Sequence, residues 1–273
     1  IVVGQMRAGT TRLHRLLAAD PAHCGTPLYR ALDPVQLRVD LRPVKTVAGL
    51  ALARRINPWL DTLHPFGARQ VDEEIAWLSH ALIPAALEAQ YRIPSYIAAS
   101  EARDAVPAYA ELARTLRTEA ALSGTARIPR VLKCPQYAED LAVLLHQFPD
   151  ARVVVARRDH DAVLASTVSV VASQMVCQSD HADLAAIERE WRRKIALREK
   201  RMAQGLAQFA GPVAEVDFRA LDTNWHGEME RVYRLLGLDL SGKAQAAMAR
   251  LQRAARRSPH RQHQPLMRQV AEV

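Results

Sequence analysis

The 273-residue sequence has only three cysteines, Cys24, Cys134 and Cys177, with no CxxC pair among them. An odd, scattered set builds neither a disulfide framework nor a zinc module and fits a reducing compartment. A cytoplasmic protein is therefore expected, with any leader ahead of Ile1 outside the sequence. Long apolar runs are missing too. A membrane helix needs ~18–20 apolar residues, and the nearest approach, Ala162 to Cys177, is broken by Ser166, Thr167, Ser169, Ser173 and Gln174. Internal repeats and low-complexity linkers are absent. Aromatics make up 5%, and the basic residues are scattered rather than interleaved with them in one patch, which argues against a nucleic-acid binder. Acidic residues are the minority, 29 against 37 Lys plus Arg, for a formal charge of +8 and a pI near 9.8; that balance favours anionic ligands. What remains, 49% apolar and 24% charged residues, is the composition of a folded globular chain that needs no structural metal.

Patterning points to an α/β fold. Ile1-Val2-Val3 is β-branched and stops at Gly4, which predicts a buried strand; from Thr10 the apolar spacing turns helical, with Leu13, Leu16 and Leu17 ahead of Asp20-Pro21. Residues from about 26 to 128 are cut by many prolines. Within them, Asp72 is expected to cap a helix carrying Ile75, Leu78 and Leu82, and Tyr109, Leu112, Ala113 and Leu116 mark another helix. Strands are then expected at Arg130 to Lys133, Arg152 to Ala156 and Val213 to Phe218, with helices at Leu141 to Phe148, from Leu184 to Leu206, and around Met229 to Leu236, stopped by Gly237. The order predicts a P-loop-type parallel sheet flanked by helices, with a helical region inserted after the first helix, in one domain over 1–273.

Gly4-Gln5-Met6-Arg7-Ala8-Gly9-Thr10-Thr11 has the G-x-x-x-x-G spacing of a phosphate loop, followed by Thr-Thr in place of Lys-Ser/Thr. Glycines allow a tight wind that turns N–H groups inward, and the next helix aims its positive end at the same spot. The missing lysine, which NTPases use on β- and γ-phosphates, implies a less charged ligand. A plain glycine turn is the alternative reading; Arg7, Thr10 and Thr11 beside it favour an anion. This run, with Leu13-His14-Arg15-Leu16-Leu17-Ala18-Ala19-Asp20-Pro21, resembles the P-x-R-S-G-T-T loop of sulfotransferases that use 3′-phosphoadenosine 5′-phosphosulfate (PAPS), above all bacterial members. The resemblance implies that Arg7, Ala8, Gly9, Thr10 and Thr11 bind the donor's 5′-phosphosulfate. Gln5-Met6 and Ala8 depart from the usual residues; Ala8 costs one hydroxyl but not the backbone cradle.

Two further segments are similar to the same family. Arg158-Asp159-His160 through Ser166 looks like R-D-P-x-x-V-x-x-S, which implies that Arg158 and Ser166 clamp the 3′-phosphate; an ion pair of Arg158 with Asp159 or Asp161 is the alternative. Leu132-Lys133-Cys134-Pro135 looks like L-K-S-P, which implies that Lys133 neutralises charge on the bridging oxygen. Val216 to Leu221 is similar to V-R-Y-E-D-L, with Arg219 where glutamate is usual. Sulfuryl transfer moves a group of single charge, so no metal is expected. The acceptor hydroxyl needs a base. Thr26, Pro27 and Arg30, and Gln136 and Tyr137, occupy the stretches where relatives carry a glutamate or histidine. His14, His64, Glu73 and Glu74 remain, and the resemblance of His64-Pro65-Phe66-Gly67 and Asp72-Glu73-Glu74 to some relatives ranks Glu74, Glu73 and His64 first; first-turn acids facing a helix dipole are the alternative.

The expectation is thus a PAPS-dependent sulfotransferase acting on a small-molecule, lipid or carbohydrate hydroxyl, with region 26–128 binding the acceptor. A phosphoryl-transfer enzyme with a degenerate loop, and a donor-binding homologue without turnover, stay open. The arginines at 250, 253, 256, 257 and 261 could close over the 3′-phosphate or form a solvated face, and Trp59, Phe66, Trp77, Tyr91 and Tyr96 could line an acceptor pocket or be core.

Overall fold

The computed structural model describes every residue except 37, 59, 82–84, 176–178, 180–182 and 256–273, and only the backbone of 62, 63 and 86. Cys177, Trp59, Leu82 and arginines 256, 257 and 261 therefore lie outside the described residues or side chains.

Three parallel strands, β1 (Val2–Gly4), β2 (Val153–Arg157) and β3 (Val213–Asp217), form a sheet of order β1-β2-β3. Val2 pairs with Val154 and Gly4 with Ala156, while Arg157 pairs with Asp217. Strand side chains alternate between faces, so the apolar run of β2 serves two cores. Val154 and Ala156 pack with Val2, Ala214 and Val216 on one face; Val153 and Val155 pack with Val3 on the other. A strand buried on both faces needs an unbroken apolar run, and each buried valine contributes about 1.5–3 kcal/mol.

Helix α1 (Thr10–Ala18) follows β1, and among the described residues the stretch up to Leu122 then holds α2 (Leu28–Leu32), α3 (Arg42–Ile56), α4 (Leu60–Leu63), α5 (Ile75–His80), α6 (Ala85–Glu88), α7 (Pro94–Ala102) and α8 (Val106–Leu122). After a 3-10 turn at Pro135–Ala138 come α9 (Leu141–Gln147), α10 (His160–Met175) and α11 (Leu184–Ala207), then α12 (Phe218–Thr223), α13 (Trp225–Leu235) and α14 (Gly242–Ala255). Helices α1, α10, α13 and α14 cover the Val154 face, and α5, α8 and α9 the Val155 face; α11 serves both, through Ile187, Trp191 and Ile195 on one and Met202 on the other.

Two local expectations are corrected. Arg130 to Lys133 is not a strand of the sheet. It makes single parallel bridges, Val2 with Lys133 and Cys24 with Arg130, because the Lys133 N–H is taken by the Glu74 carboxylate at 3.0 Å and Pro135 follows two residues on. Asp72 does not cap α5. Glu74 stands at that position without a side-chain cap, and Asp72 is engaged with the Glu73 N–H at 2.9 Å and with His64 at 3.3 Å.

Candidate active site

The loop between β1 and α1 winds because two of its residues are left-handed, Arg7 at φ 70° and Gly9 at φ 92°. Gly9 has no substitute. A Cβ there would sit 2.7 Å from the Phe218 ring, and one on Gly4 would sit 2.8 Å from the Ala156 carbonyl oxygen. Helix α1 starts at Gly9 with no side-chain cap and no acid in its first turn, so its N-terminal N–H groups and positive dipole face the loop uncompensated.

The register places the loop, Arg158 and Phe218 at the carboxyl ends of three adjacent parallel strands, where open α/β sheets bind ligands. Arg7 Nε donates to Ser166 Oγ at 3.0 Å, and Arg158 donates to the Arg7 carbonyl at 2.7 Å. The first loop and the segment after β2, 159 residues apart in the chain, therefore meet in one corner. Arg158 also lies over the Phe218 ring, 4.6 Å from its centroid, a cation–π contact. Phe218, expected to end the last strand, instead opens α12 and supports Gly9 and Arg158 at once, a role the sequence did not reveal; its signal was the aromatic place in the segment similar to V-R-Y-E-D-L. Burial and then the neighbouring Arg158 push the Arg7 guanidinium down to about 10. Burial, with Arg219 close by, lowers Arg158 as well, against the pull of Asp159. Positive groups crowded out of water in this way are stabilised by a bound anion.

Lys133, beside β1, brings in a second corner. Its Nζ is buried and 3.0 Å from Glu73 Oε1, while Glu73 Oε2 is buried without a hydrogen-bond partner. His64 and Asp72 adjoin Glu73, and Phe66 packs on His64 with ring centroids 4.4 Å apart. His64, Asp72 and Glu73 are close enough together to share a cation, but the Lys133 ammonium already supplies positive charge to Glu73.

Among the candidate bases the environments differ. Glu74 is fully buried, accepting from the Lys133 N–H at 3.0 Å and from the Tyr137 hydroxyl at 3.3 Å, and burial pushes its carboxyl up to about 7. That is the setting of a positioning residue. His14 is buried and donates from Nε2 to the Val131 carbonyl at 3.0 Å; burial, then Lys133, push it down to about 3, so it stays neutral. Trp77 is core, its indole N–H on the Arg30 carbonyl at 3.3 Å. Arg250 and Arg253 lie on α14, which reaches the site's edge where Arg12 donates to Gln252 at 3.0 Å.

The Sulfotransferase family model matches residues 1–242. The chain is similar to the crystal structure of sulfotransferase STF1 from Mycobacterium tuberculosis, with 28% identity and a TM-score of 0.80 over 91% of this chain and 69% of that one. It also shares the fold of sulfotransferase STF9 from Mycobacterium avium, with 19% identity and a TM-score of 0.78 over 92% and 67% of the two chains. No curated protein matches the chain.

Proposed function

Because the chain belongs to the sulfotransferase family, we propose that it moves a sulfuryl group from PAPS to an acceptor hydroxyl on a small molecule, lipid or carbohydrate. The observation that carries this reading is the meeting of Arg7, Arg158 and Ser166 at the carboxyl ends of the strands. A bisphosphorylated nucleoside suits that corner: the left-handed turn at Arg7 and Gly9 winds the loop at the start of α1, and the crowded guanidinium groups gain from its charge. The uncapped start of α1, with Ala8, Gly9, Thr10 and Thr11, holds the 5′ end; Arg158 and Ser166 hold the 3′-phosphate.

The bound donor supplies the sulfuryl group, whose S–O bond to phosphate breaks as the acceptor's O–S bond forms. Lys133 Nζ neutralises the charge that builds on the leaving phosphate oxygen. Glu73 takes the acceptor's proton on Oε2, the oxygen without a partner. As Glu73 becomes neutral its hold on Lys133 weakens, which frees the ammonium at the moment the leaving group needs it. Glu74 fixes the Lys133 backbone, and His64 with Asp72 steadies the other side. The helical region of about 26–128, which carries Glu73 and His64, is the acceptor-binding part of one domain over 1–273.

Calorimetry with adenosine 3′,5′-bisphosphate tests the reading. Removing a charge-assisted contact of about 1.5–3 kcal/mol, Arg158→Ala should weaken binding ~10–100-fold. Equal affinity in both proteins removes Arg158 from the site, and tighter binding of ATP with Mg²⁺ than of the bisphosphate transfers the assignment to phosphoryl chemistry.

A further inference from the structure

Helix α3 is turned the wrong way for an element whose only neighbour is the protein interior. Its buried residues are Arg42 and Thr46. Arg42 is fully engaged inside, on Asp40 at 2.8 and 3.0 Å, on the Asp33 carbonyl at 3.0 Å and over the Tyr29 ring. The apolar side chains point out: Val44, Val47, Leu52 and Ile56 are 66%, 58%, 61% and 75% exposed. Ala48 and Ala51 are exposed between them, and these spacings place the group along one side of the helix. The surface continues past the helix. Leu32 of α2 lines a cleft of about 270 Å³ with Lys45, Gly49 and Leu50 of α3, and Val35, Val39 and Leu41 between the two helices are also exposed.

So many exposed apolar side chains on one segment mark a contact, and the charge among them selects the occupant. Helix α3 contains Arg42, Lys45, Arg54 and Arg55 and no acid. Of the flanking carboxylates, Asp40 is committed to Arg42 and Asp61 to Arg54 at 2.7 and 3.1 Å, while Asp33, which lines the cleft, accepts from the Val35 N–H at 3.3 Å. Lys45 and Arg55 are exposed within the apolar face. A second copy docked across a two-fold axis would set these cations against a face of the same sign. An anionic bilayer surface offers both an acyl boundary for the valines and leucine and countercharge for the two long basic side chains, which can reach up to the headgroups. No described helix is long and apolar enough to cross a membrane, so the contact is peripheral.

We propose that α3, with the exposed apolar residues just ahead of it, docks this protein on the surface of an anionic lipid membrane. The full chain should co-sediment with vesicles of equimolar phosphatidylglycerol and phosphatidylcholine, and not with phosphatidylcholine alone. Binding should fall as salt rises, weaken about fivefold with each of Lys45→Gln and Arg55→Gln, and vanish in Leu52→Glu/Ile56→Glu, whose altered positions are exposed and whose circular dichroism should match the parent. Failure to bind the anionic vesicles, or binding that survives the double substitution, overturns the proposal. So does a dimer in solution that the double substitution splits, or a Leu52→Cys thiol that a maleimide cannot reach without vesicles, because the face would then be covered by a second copy or by the chain itself.

Discussion

Glu73 and Glu74 are neighbours along the chain and opposites in environment. Each keeps one buried oxygen without a hydrogen-bond partner, but the other oxygen of Glu73 meets the Lys133 ammonium, whereas that of Glu74 is sealed on the Lys133 backbone N–H. With the proposed roles, Glu73→Gln should lower sulfuryl transfer ~10²–10⁴-fold while bisphosphate affinity is retained; full activity in that variant would discard Glu73 as the base. Glu74→Gln should act on stability instead. The folded carboxyl titrates near 7 against an ordinary value of 4.5, so the folded state holds its proton more tightly than the unfolded chain. That contribution is present below about 4.5 and disappears as pH rises through about 7, a loss on the order of 3 kcal/mol. Urea unfolding across this window should show the slope in the parent and a flatter profile in Glu74→Gln. The sequence placed both glutamates near the chemistry but could not separate them, because depth of burial is not a property of a dipeptide.

At the scale of elements, the glycine turn, the helix behind it and the apolar strand β2 were legible because each rests on local rules: a residue without Cβ, a 3.6-residue period, an apolar run. Gly9 is the sharpest instance. Gly9→Ala combines a left-handed backbone with a collision against Phe218. It should destabilise the fold by ~1–3 kcal/mol and weaken bisphosphate binding more than tenfold in calorimetry, through the displaced loop. An unchanged melting curve and affinity would mean that Phe218 can move aside. Other elements were not legible. Arg130 to Lys133 looks like a strand, but a side chain from a distant helix start competes for its backbone. Asp72 looks like a cap but is drawn to His64. Nothing in the pattern of α3 announces that Arg42 goes in and the valines go out.

For the whole molecule, the helical region is tied to the sheet by a buried ionic cluster. Lys194 of α11 meets Glu88 of α6 at 3.1 Å, Glu101 of α7 at 3.0 Å and Glu139, just past the 3-10 turn, at 2.6 Å. Arg198 joins Glu88 and Glu139. Burial works against charge on Glu101, yet Arg193 and Lys194 hold its carboxyl down to about 2. Its contribution is therefore present above about 4.5 and lost as pH falls from there through about 2. Lys194→Met should leave the carboxylates under-paired and cost about 3–5 kcal/mol, read as a lower urea midpoint; an unshifted midpoint would show that water or Arg193 replaces the ammonium.

The sequence by itself determined the α/β rhythm, the glycine loop between β1 and α1 and the short segments that carry the family resemblance, because these depend on neighbours within a turn or a strand. Only the tertiary structure decided that Arg7 touches Ser166, that Phe218 backs both Gly9 and Arg158, that Glu73 rather than Glu74 pairs with the Lys133 ammonium, and that α3 faces outward. Each of those depends on which distant segments the parallel register and the two cores bring together, and contact across such separations is set by packing rather than by spacing along the chain.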